Sequence, residues 1–215
     1  MDVGFVMYEG MTALDLVGVA EVLAHLPGVQ AHYVAAGTAP VRADNGLLFT
    51  PSTTFVRLER VDVIVVPGGG TPSKALQDVA IIDWLRMVHP KAAWTTSVCT
   101  GASLLAEAGV LDGCTATTHW AFRHLLTERG IQVSTDRVVR DGTVLTSAGV
   151  SAGIDMALAL TGILFGDDVA RLTQLAIEYD PQPPYDSGSA ATAPPPLVET
   201  ARTLLLAADT LEQGR

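Results

Sequence analysis

The chain has 215 residues, of which 48% are hydrophobic and 17% are charged, and its formal net charge is −10. This length suits one domain with a sizeable core, and the apolar content excludes a disordered protein. The negative charge disfavours nucleic acid and anionic membrane surfaces as binding partners.

Short apolar runs alternate with helical patterns along the first half of the chain. The runs predict buried strands, and the 3.6-residue spacing of apolar positions between them predicts helices. The predicted strands cover residues 3–8, 29–35, 61–66 and 92–98, and the predicted helices cover residues 13–26, 78–88 and 102–108. On the first helix, Leu14, Val17, Val22 and Leu26 fall on related faces and predict its buried side. Residues 44–46, Asp-Asn-Gly, predict a turn between two short strands.

The second half begins with a hairpin pattern at residues 138–145, with Asp141-Gly142 as its turn. Two helices are predicted at residues 154–165 and 168–177. The most apolar stretch, residues 148–165, contains Ser, Asp and Thr, and therefore predicts a buried helix and not a membrane span. Residues 179–196 are rich in Pro, Gly, Ser and Ala, and predict an ordered surface excursion before a last helix.

The start of the chain reads directly as a strand and has no basic signal-peptide region. We therefore expect a cytoplasmic protein. The two cysteines, Cys99 and Cys114, are then expected to stay reduced, with no disulfide between them. We expect residues 1–215 to form one domain.

Alternating strands and helices predict an α/β fold, with a mostly parallel sheet and helices on both faces. Ligands of such folds bind beyond the carboxyl ends of the strands. Three features are expected to meet there: the helix start that holds Asp15, the glycines that follow Val66, and the turn at Cys99.

Cys99 is the main candidate for a catalytic side chain. It stands directly after a predicted strand and directly before a predicted helix, and Gly101 permits a tight backbone there. The unpaired N–H groups and the dipole at a helix start stabilise a thiolate, so we expect a lowered thiol pKa and higher reactivity than at Cys114, which we expect to be buried in apolar packing. The alternative is a structural cysteine at a strand end.

Three further positions are candidates near this turn. The N–H groups of Gly69 or Gly70, with that of Thr100, could form an oxyanion hole, or the glycines could only make a turn. Asp15 could act with Cys99, or could only complement the helix dipole. His119 could be an acid/base group, but a core histidine that starts a helix is the favoured interpretation.

No metal site is predicted, because the histidines are not arranged at ligand spacing. A Gly-x-Ser-x-Gly elbow is also absent from the sequence.

Several segments together resemble the ThiJ/PfpI superfamily. They are Leu14-Asp15-Leu16, Pro67-Gly68-Gly69, and residues 96–101 (TSVCTG), 111–113 (LDG), 116–120 (ATTHW), 138–142 (VVRDG) and 152–155 (AGID). Within that superfamily the chain is most similar to the bacterial isocyanide (isonitrile) hydratases. The proline-rich segment, residues 178–194, is the most specific part of this resemblance.

The resemblance implies a flavodoxin-like three-layer sandwich, a homodimer and no cofactor. It implies that Cys99 is the nucleophile, Asp15 the acidic partner and Thr100 a supporting hydroxyl. The PfpI-type peptidases have His directly after the nucleophile, whereas this chain has Thr100, which argues against peptidase activity. The sensor domains of AraC-like regulators share some of these patterns but continue into a DNA-binding domain.

We therefore expect a small-molecule isocyanide as substrate. Water would add to it through a Cys99 thioimidate to give an N-substituted formamide. One alternative is a glyoxalase- or deglycase-like thiol enzyme that acts on small aldehydes. The other is a redox or small-molecule sensor in which Cys99 is modified without turnover.

Overall fold

The computed structural model describes residues 1–213. Its central sheet has seven strands in the order β10-β11-β7-β6-β1-β2-β5. These are β1 (Asp2–Val6), β2 (Gln30–Ala35), β5 (Thr53–Thr54), β6 (Val63–Val66), β7 (Trp94–Val98), β10 (Val138–Asp141) and β11 (Val144–Ser147). Neighbouring strands are parallel except for β10 and β11, which form the predicted hairpin. The mostly parallel sheet is confirmed.

Two minor two-stranded sheets flank the central one. The predicted turn at residues 44–46 joins β3 (Val41–Arg42) to the antiparallel β4 (Leu48–Phe49). The second pair, β8 (Thr115–Ala116) and β9 (Gln132–Val133), is parallel. Two-residue strands carry too little periodicity to be recognised in a sequence, so β5, β8 and β9 were not predicted.

The helices divide into two sets by their contacts. One set is α1 (Ala13–Leu23), α6 (Ala152–Phe165) and α7 (Asp167–Ala176), which pack in that order. The other set is α2 (Pro72–Ala75), α3 (Val79–Val88), α4 (Gly101–Glu107) and α5 (His124–Thr127). The last helix, α8 (Pro195–Gln213), packs on α2, where the buried Asp209 carboxylate accepts hydrogen bonds from the Ser73 N–H and hydroxyl at 3.0 and 2.6 Å.

The central strands are apolar because both of their faces are covered. Every residue of β6 and β7 is buried, as expected for parallel strands between two helix layers. One face of helix α6 is buried against the sheet. No helix of residues 1–213 is long and apolar enough to cross a membrane.

The predicted buried face of α1 is wrong in part. The helix ends at Leu23, and Leu14 and Val17 are 45% and 40% exposed. Asp15 and Gly18 are buried instead, with Gly18 packed against Ile154 of α6. The helix is apolar almost all round, so its hydrophobic pattern could not tell the core face from the exposed face.

Candidate active site

Cys99 occupies a strained turn between β7 and α4. Its φ is +56°, in the left-handed region that a residue with a Cβ rarely adopts. The backbone is held there by three hydrogen bonds. The Cys99 N–H donates to the carbonyls of Ser147 and Ala148 at 3.2 and 3.0 Å, and the Cys99 carbonyl accepts from the Thr118 hydroxyl at 2.7 Å. Strain of this kind persists only where the surroundings enforce it, and it is concentrated at functional sites.

The glycine turn after β6 lies directly against the Cys99 turn. A Cβ on Gly68 would lie 2.5 Å from the Thr100 nitrogen and 2.9 Å from the Cys99 Cβ. A Cβ on Gly101 would overlap the carbonyl of Val66. The close approach of these two backbones therefore requires glycine at both positions.

We expect Gly68→Ala to lower the free energy of unfolding by about 1–3 kcal/mol, because a rigid backbone must move to admit the new methyl group. The melting temperature should fall by several degrees. Gly70→Ala is the matched control, since no atom lies within 4 Å of a Cβ there. Thermal melts of the two variants test this, and equal melting temperatures would contradict the packing argument.

The glycine turn also holds Asp15 beside the Cys99 turn. The Thr12 N–H donates to the Gly68 carbonyl, and the Gly68 N–H donates to Asp15 Oδ2, each at 2.8 Å. Asp15 is fully buried, and its Oδ1 has no hydrogen-bond partner among the described residues. The side chain is close enough to Cys99 for each group to shift the pKa of the other. The structure therefore brings Asp15 and Cys99 together.

Burial dominates the electrostatics of this pair. It raises the pKa of Asp15 to about 7, a shift that the Gly68 N–H opposes and the Asp44 carboxylate enhances. Burial and the Asp15 charge likewise raise the pKa of the Cys99 thiol, although donors from Val150 and Thr100 favour its thiolate. The expected lowering of the thiol pKa is thus outweighed by desolvation. Near neutral pH the pair retains at least one proton.

A raised carboxyl pKa has a consequence for stability. Between about pH 4 and pH 7 the unfolded chain releases the Asp15 proton while the folded protein keeps it, so Asp15 makes the protein less stable as the pH rises through this range. Asp15→Asn does not titrate. We expect its free energy of unfolding, relative to wild type, to increase by a few kcal/mol from pH 4 to pH 8. Denaturant titrations at both pH values test this, and a pH-independent difference would contradict it.

Thr100 connects the two turns. Its hydroxyl accepts from the Gly69 N–H at 2.8 Å, and its single proton can go either to the Gly69 carbonyl at 2.9 Å or to the Cys99 sulfur, where it favours the thiolate. The Gly69 N–H is therefore already engaged with Thr100, and an oxyanion role for Gly69 or Gly70 stays a prediction. Gly70 borders a different surface pocket, together with Glu9 and Lys74.

Val150 is a site residue that the sequence analysis missed. It follows β11, has a φ of +34°, and its N–H joins that of Thr100 in hydrogen bonding that favours the Cys99 thiolate. The sequence did contain a signal for Val150: β11 leads through a turn into helix α6, in the same way that β7 leads through Cys99 into α4. The backbone donors near the sulfur thus come from Thr100 and Val150.

A cavity of about 490 Å³ opens beside Val150, and we refer to it as the Val150 cavity. Its walls include His119, Arg123, Arg137 and residues 188–191 of the proline-rich segment. That segment crosses the surface before α8, as predicted. The sequence did not predict that the segment would form part of a cavity wall.

His119 is half-buried in the wall of this cavity. A Cβ on Gly149 would lie 2.5 Å from the His119 ring, so the ring packs directly on the backbone next to Val150. Its Nδ1 accepts from the Ala121 N–H at 3.3 Å, which caps a short 3-10 turn, Trp120–Phe122. Burial, with the nearby Arg123 charge, lowers the pKa of His119 to about 4. The ring is therefore neutral at physiological pH, and its proton lies on Nε2.

Both cysteines are free thiols. The expectation that Cys114 is buried in apolar packing is wrong: it is partly exposed, and it lies near Asp112 and Asp141, which raise its pKa together with partial burial. Cys99 is the buried one, at 5% exposure. Within residues 1–213 no group of three or more His, Cys, Asp or Glu side chains could hold a metal ion.

Comparison with known proteins shows which family this chain belongs to. The model of the DJ-1/PfpI family matches residues 1–162. The chain belongs to the DJ-1/PfpI family. Its membership confirms the resemblance to the ThiJ/PfpI superfamily and the flavodoxin-like α/β fold.

Individual relatives of this DJ-1/PfpI protein extend over nearly its whole length. It is 46% identical over 202 residues to the isonitrile hydratase of Pseudomonas putida, covering 94% of this chain and 89% of the relative. A ThiJ/PfpI family protein from Pseudomonas syringae has a crystal structure that superposes with a TM-score of 0.92 at 36% identity, covering 98% of this chain and 89% of that one. The HTH-type transcriptional regulator CdhR of Pseudomonas aeruginosa is 31% identical over 79% of this chain and 52% of its own length.

Proposed function

We propose that this protein is an isonitrile hydratase, a hydro-lyase that converts an isocyanide and water to an N-substituted formamide. The observation that carries the proposal is the buried Asp15–Cys99 pair, in which one carboxylate oxygen has no other partner. The 46% identity to the Pseudomonas putida enzyme supports this activity over the alternatives. The reaction needs one nucleophile and one mobile proton, and the pair supplies both.

The first half of the reaction consumes the proton that the pair retains. The Cys99 sulfur forms a bond to the terminal isocyanide carbon, and that carbon takes the proton held between Cys99 and Asp15. The product of this step is a thioimidate, S–CH=N–R, and Asp15 is left as a carboxylate. The donors from Thr100 and Val150 stabilise the sulfur as a thiolate before attack.

The second half returns the proton to the pair. The Asp15 carboxylate takes a proton from water as the hydroxyl adds to the thioimidate carbon, and Asp15 then passes this proton to the nitrogen. The carbon–sulfur bond breaks as the hydroxyl proton goes to the pair, which releases R–NH–CHO. Thr100, hydrogen-bonded to the glycine turn, positions the thiol against Asp15 throughout.

The decisive experiment gives the purified protein a simple alkyl or aryl isocyanide and measures the formamide by chromatography. We expect catalytic turnover without added metal or cofactor. Stoichiometric modification of Cys99 without turnover would instead favour a redox or small-molecule sensor. Turnover of small aldehydes but not of isocyanides would favour a glyoxalase-like enzyme, the activity in the name of the 27% identical Caenorhabditis elegans relative.

We also propose that the protein is a homodimer. Exposed apolar side chains occur on α1, α6 and α7, the three helices that pack together on one face. They are Leu14, Val17, Ile163, Leu172 and Leu175. Exposed apolar side chains on neighbouring helices support an interface between subunits at this face.

Light scattering at micromolar concentration is expected to give about twice the chain mass of 22.5 kDa. Val17→Asp, on the exposed side of α1, should shift the equilibrium towards the monomer. Val56→Asp is the control, because Val56 is 83% exposed and lies outside these three helices. A monomeric wild-type protein would contradict the proposal.

Two further proposals complete this assignment. We propose that residues 1–215 form a single domain, supported by the buried Asp209 that fixes α8 to α2.

We propose the cytoplasm as its location, supported by the two free thiols, which a reducing compartment preserves. Fractionation of the native host, followed by immunodetection, tests the location.

A further inference from the structure

The Val150 cavity contains a cation that the proposed reaction does not use. Arg123 lies in the wall of the cavity, next to His119, and follows the 3-10 turn that His119 caps. Its Nε is buried without a hydrogen-bond partner among residues 1–213. The side chain as a whole is only partly buried, and its guanidinium forms no hydrogen bond or ion pair with the described residues, so it keeps donors for an anion in the cavity.

The other charged group of the cavity is already neutralised. The Arg137 Nε donates to Asp155 Oδ2, and its Nη2 donates to the Ser151 hydroxyl at 3.2 Å. His119 is neutral, as its lowered pKa requires. None of the described residues that line the cavity is acidic. In a chain with a net charge of −10, this cavity therefore keeps one uncompensated positive charge.

We propose that the Val150 cavity selects isocyanides that carry a carboxylate, and that Arg123 is the residue that binds this carboxylate. The inference rests on the proposed function, because it names the substrate class of the same site. A planar guanidinium matches a planar carboxylate through two parallel N–H···O bonds. A single free cation matches the single charge of a carboxylate, whereas a phosphate carries more negative charge.

The position of the cavity indicates where each end of such a substrate would bind. The Val150 N–H is directed at the Cys99 sulfur, and Val150 also lines the cavity. An isocyanide carbon at the sulfur would therefore lead its substituent into the cavity towards Arg123. The substituent meets small residues at 188–191, Gly-Ser-Ala-Ala, which leave room for a short linker.

The test compares an isocyanoalkanoate with its methyl ester, which has the same linker and no charge. In the wild type we expect kcat/KM to be at least about tenfold higher for the carboxylate, since a charge-assisted bidentate pair is lost with the ester. Arg123→Gln should reduce this carboxylate-to-ester ratio by about tenfold or more. Arg123→Lys keeps the charge but lacks the planar fork, and should give an intermediate ratio.

Arg60→Gln is the matched control. It removes the same charge from an exposed position at the amino end of β6, opposite the site, and should keep the wild-type ratio. A wild type without preference for the carboxylate would overturn the inference. So would Arg123 variants that lower both rates in the same proportion, because that result indicates a structural role only.

A binding measurement separates this inference from the proposed function. Calorimetry of Cys99→Ala protein with an N-formylamino acid, which resembles the expected product, does not depend on turnover. We expect binding that weakens about tenfold or more when Arg123→Gln is added. If no isocyanide is hydrated but this binding persists, the proposed function fails and the carboxylate site stands. If isocyanides are hydrated and this binding is absent or indifferent to Arg123, the inference alone fails.

Discussion

Cys99→Ala is expected to reduce isocyanide hydration to the background rate, a loss of the order of 10³-fold or more. The thioimidate cannot form without the sulfur of Cys99. Formamide production in steady state is the measurement. The fold should persist, because the change removes one sulfur atom and leaves the backbone of the turn held by Ser147, Ala148 and Thr118.

Cys114→Ala is the matched control for this substitution. It also removes one thiol, but from a partly exposed position whose nearest charges are Asp112 and Asp141. We expect full activity. Circular dichroism and thermal melts should show all three proteins folded. Substantial turnover by folded Cys99→Ala would return Cys99 to the structural role that its burial also permits.

The two thiols provide an internal reference for the covalent route. Pre-incubation with an isocyanide should slow iodoacetamide labelling of Cys99, since the substrate occupies or covalently caps its sulfur. Labelling of Cys114, outside the site, should not change. Peptide mass spectrometry measures both positions in one sample. Equal effects on the two cysteines would count against attack by Cys99.

Asp15→Asn is expected to lower kcat by about 10²-fold or more, because the amide keeps the shape of the side chain but cannot exchange a proton. The pH profile gives a second readout. With pKa values of about 7 for Asp15 and about 12 for Cys99, the pair holds two protons below pH 7 and the single proton that the reaction uses above it, so wild-type activity should rise as the pH rises through about 7. The residual activity of Asp15→Asn should lack this transition.

Asp44→Asn provides a control that moves the same pKa without touching Asp15. The Asp44 charge raises the pKa of Asp15, so its removal should shift the rise in activity to lower pH. The hydrogen bond that Asp44 accepts from the Thr12 hydroxyl can be kept by the amide oxygen.

A wild-type kcat in Asp15→Asn, with normal folding, would leave Asp15 only a dipole or packing role.

Local patterns were sufficient for much of the fold. The strands β1, β6 and β7 and the hairpin of β10 and β11 follow from apolar runs and turn residues, whose geometry depends on near neighbours in the chain. The tight turn at Cys99 could also be predicted, since a cysteine between a buried strand and a helix that begins with glycine has few conformations available. The two-residue strands β5, β8 and β9 and the exposed side of α1 could not be predicted, because tertiary packing decides them.

The α/β architecture, the family resemblance, and the grouping of residues near Cys99 at the carboxyl ends of the strands follow from the amino-acid sequence. The use of those residues depends on how the chain packs in three dimensions. Contacts between segments far apart in sequence engage the Gly69 N–H with Thr100, direct Val150 at the sulfur and leave Arg123 unpaired in a cavity. The same contacts bury Cys99 and Asp15, and desolvation raises both pKa values. Burial and pairing are properties of three-dimensional packing, so no pattern of neighbouring residues could contain them.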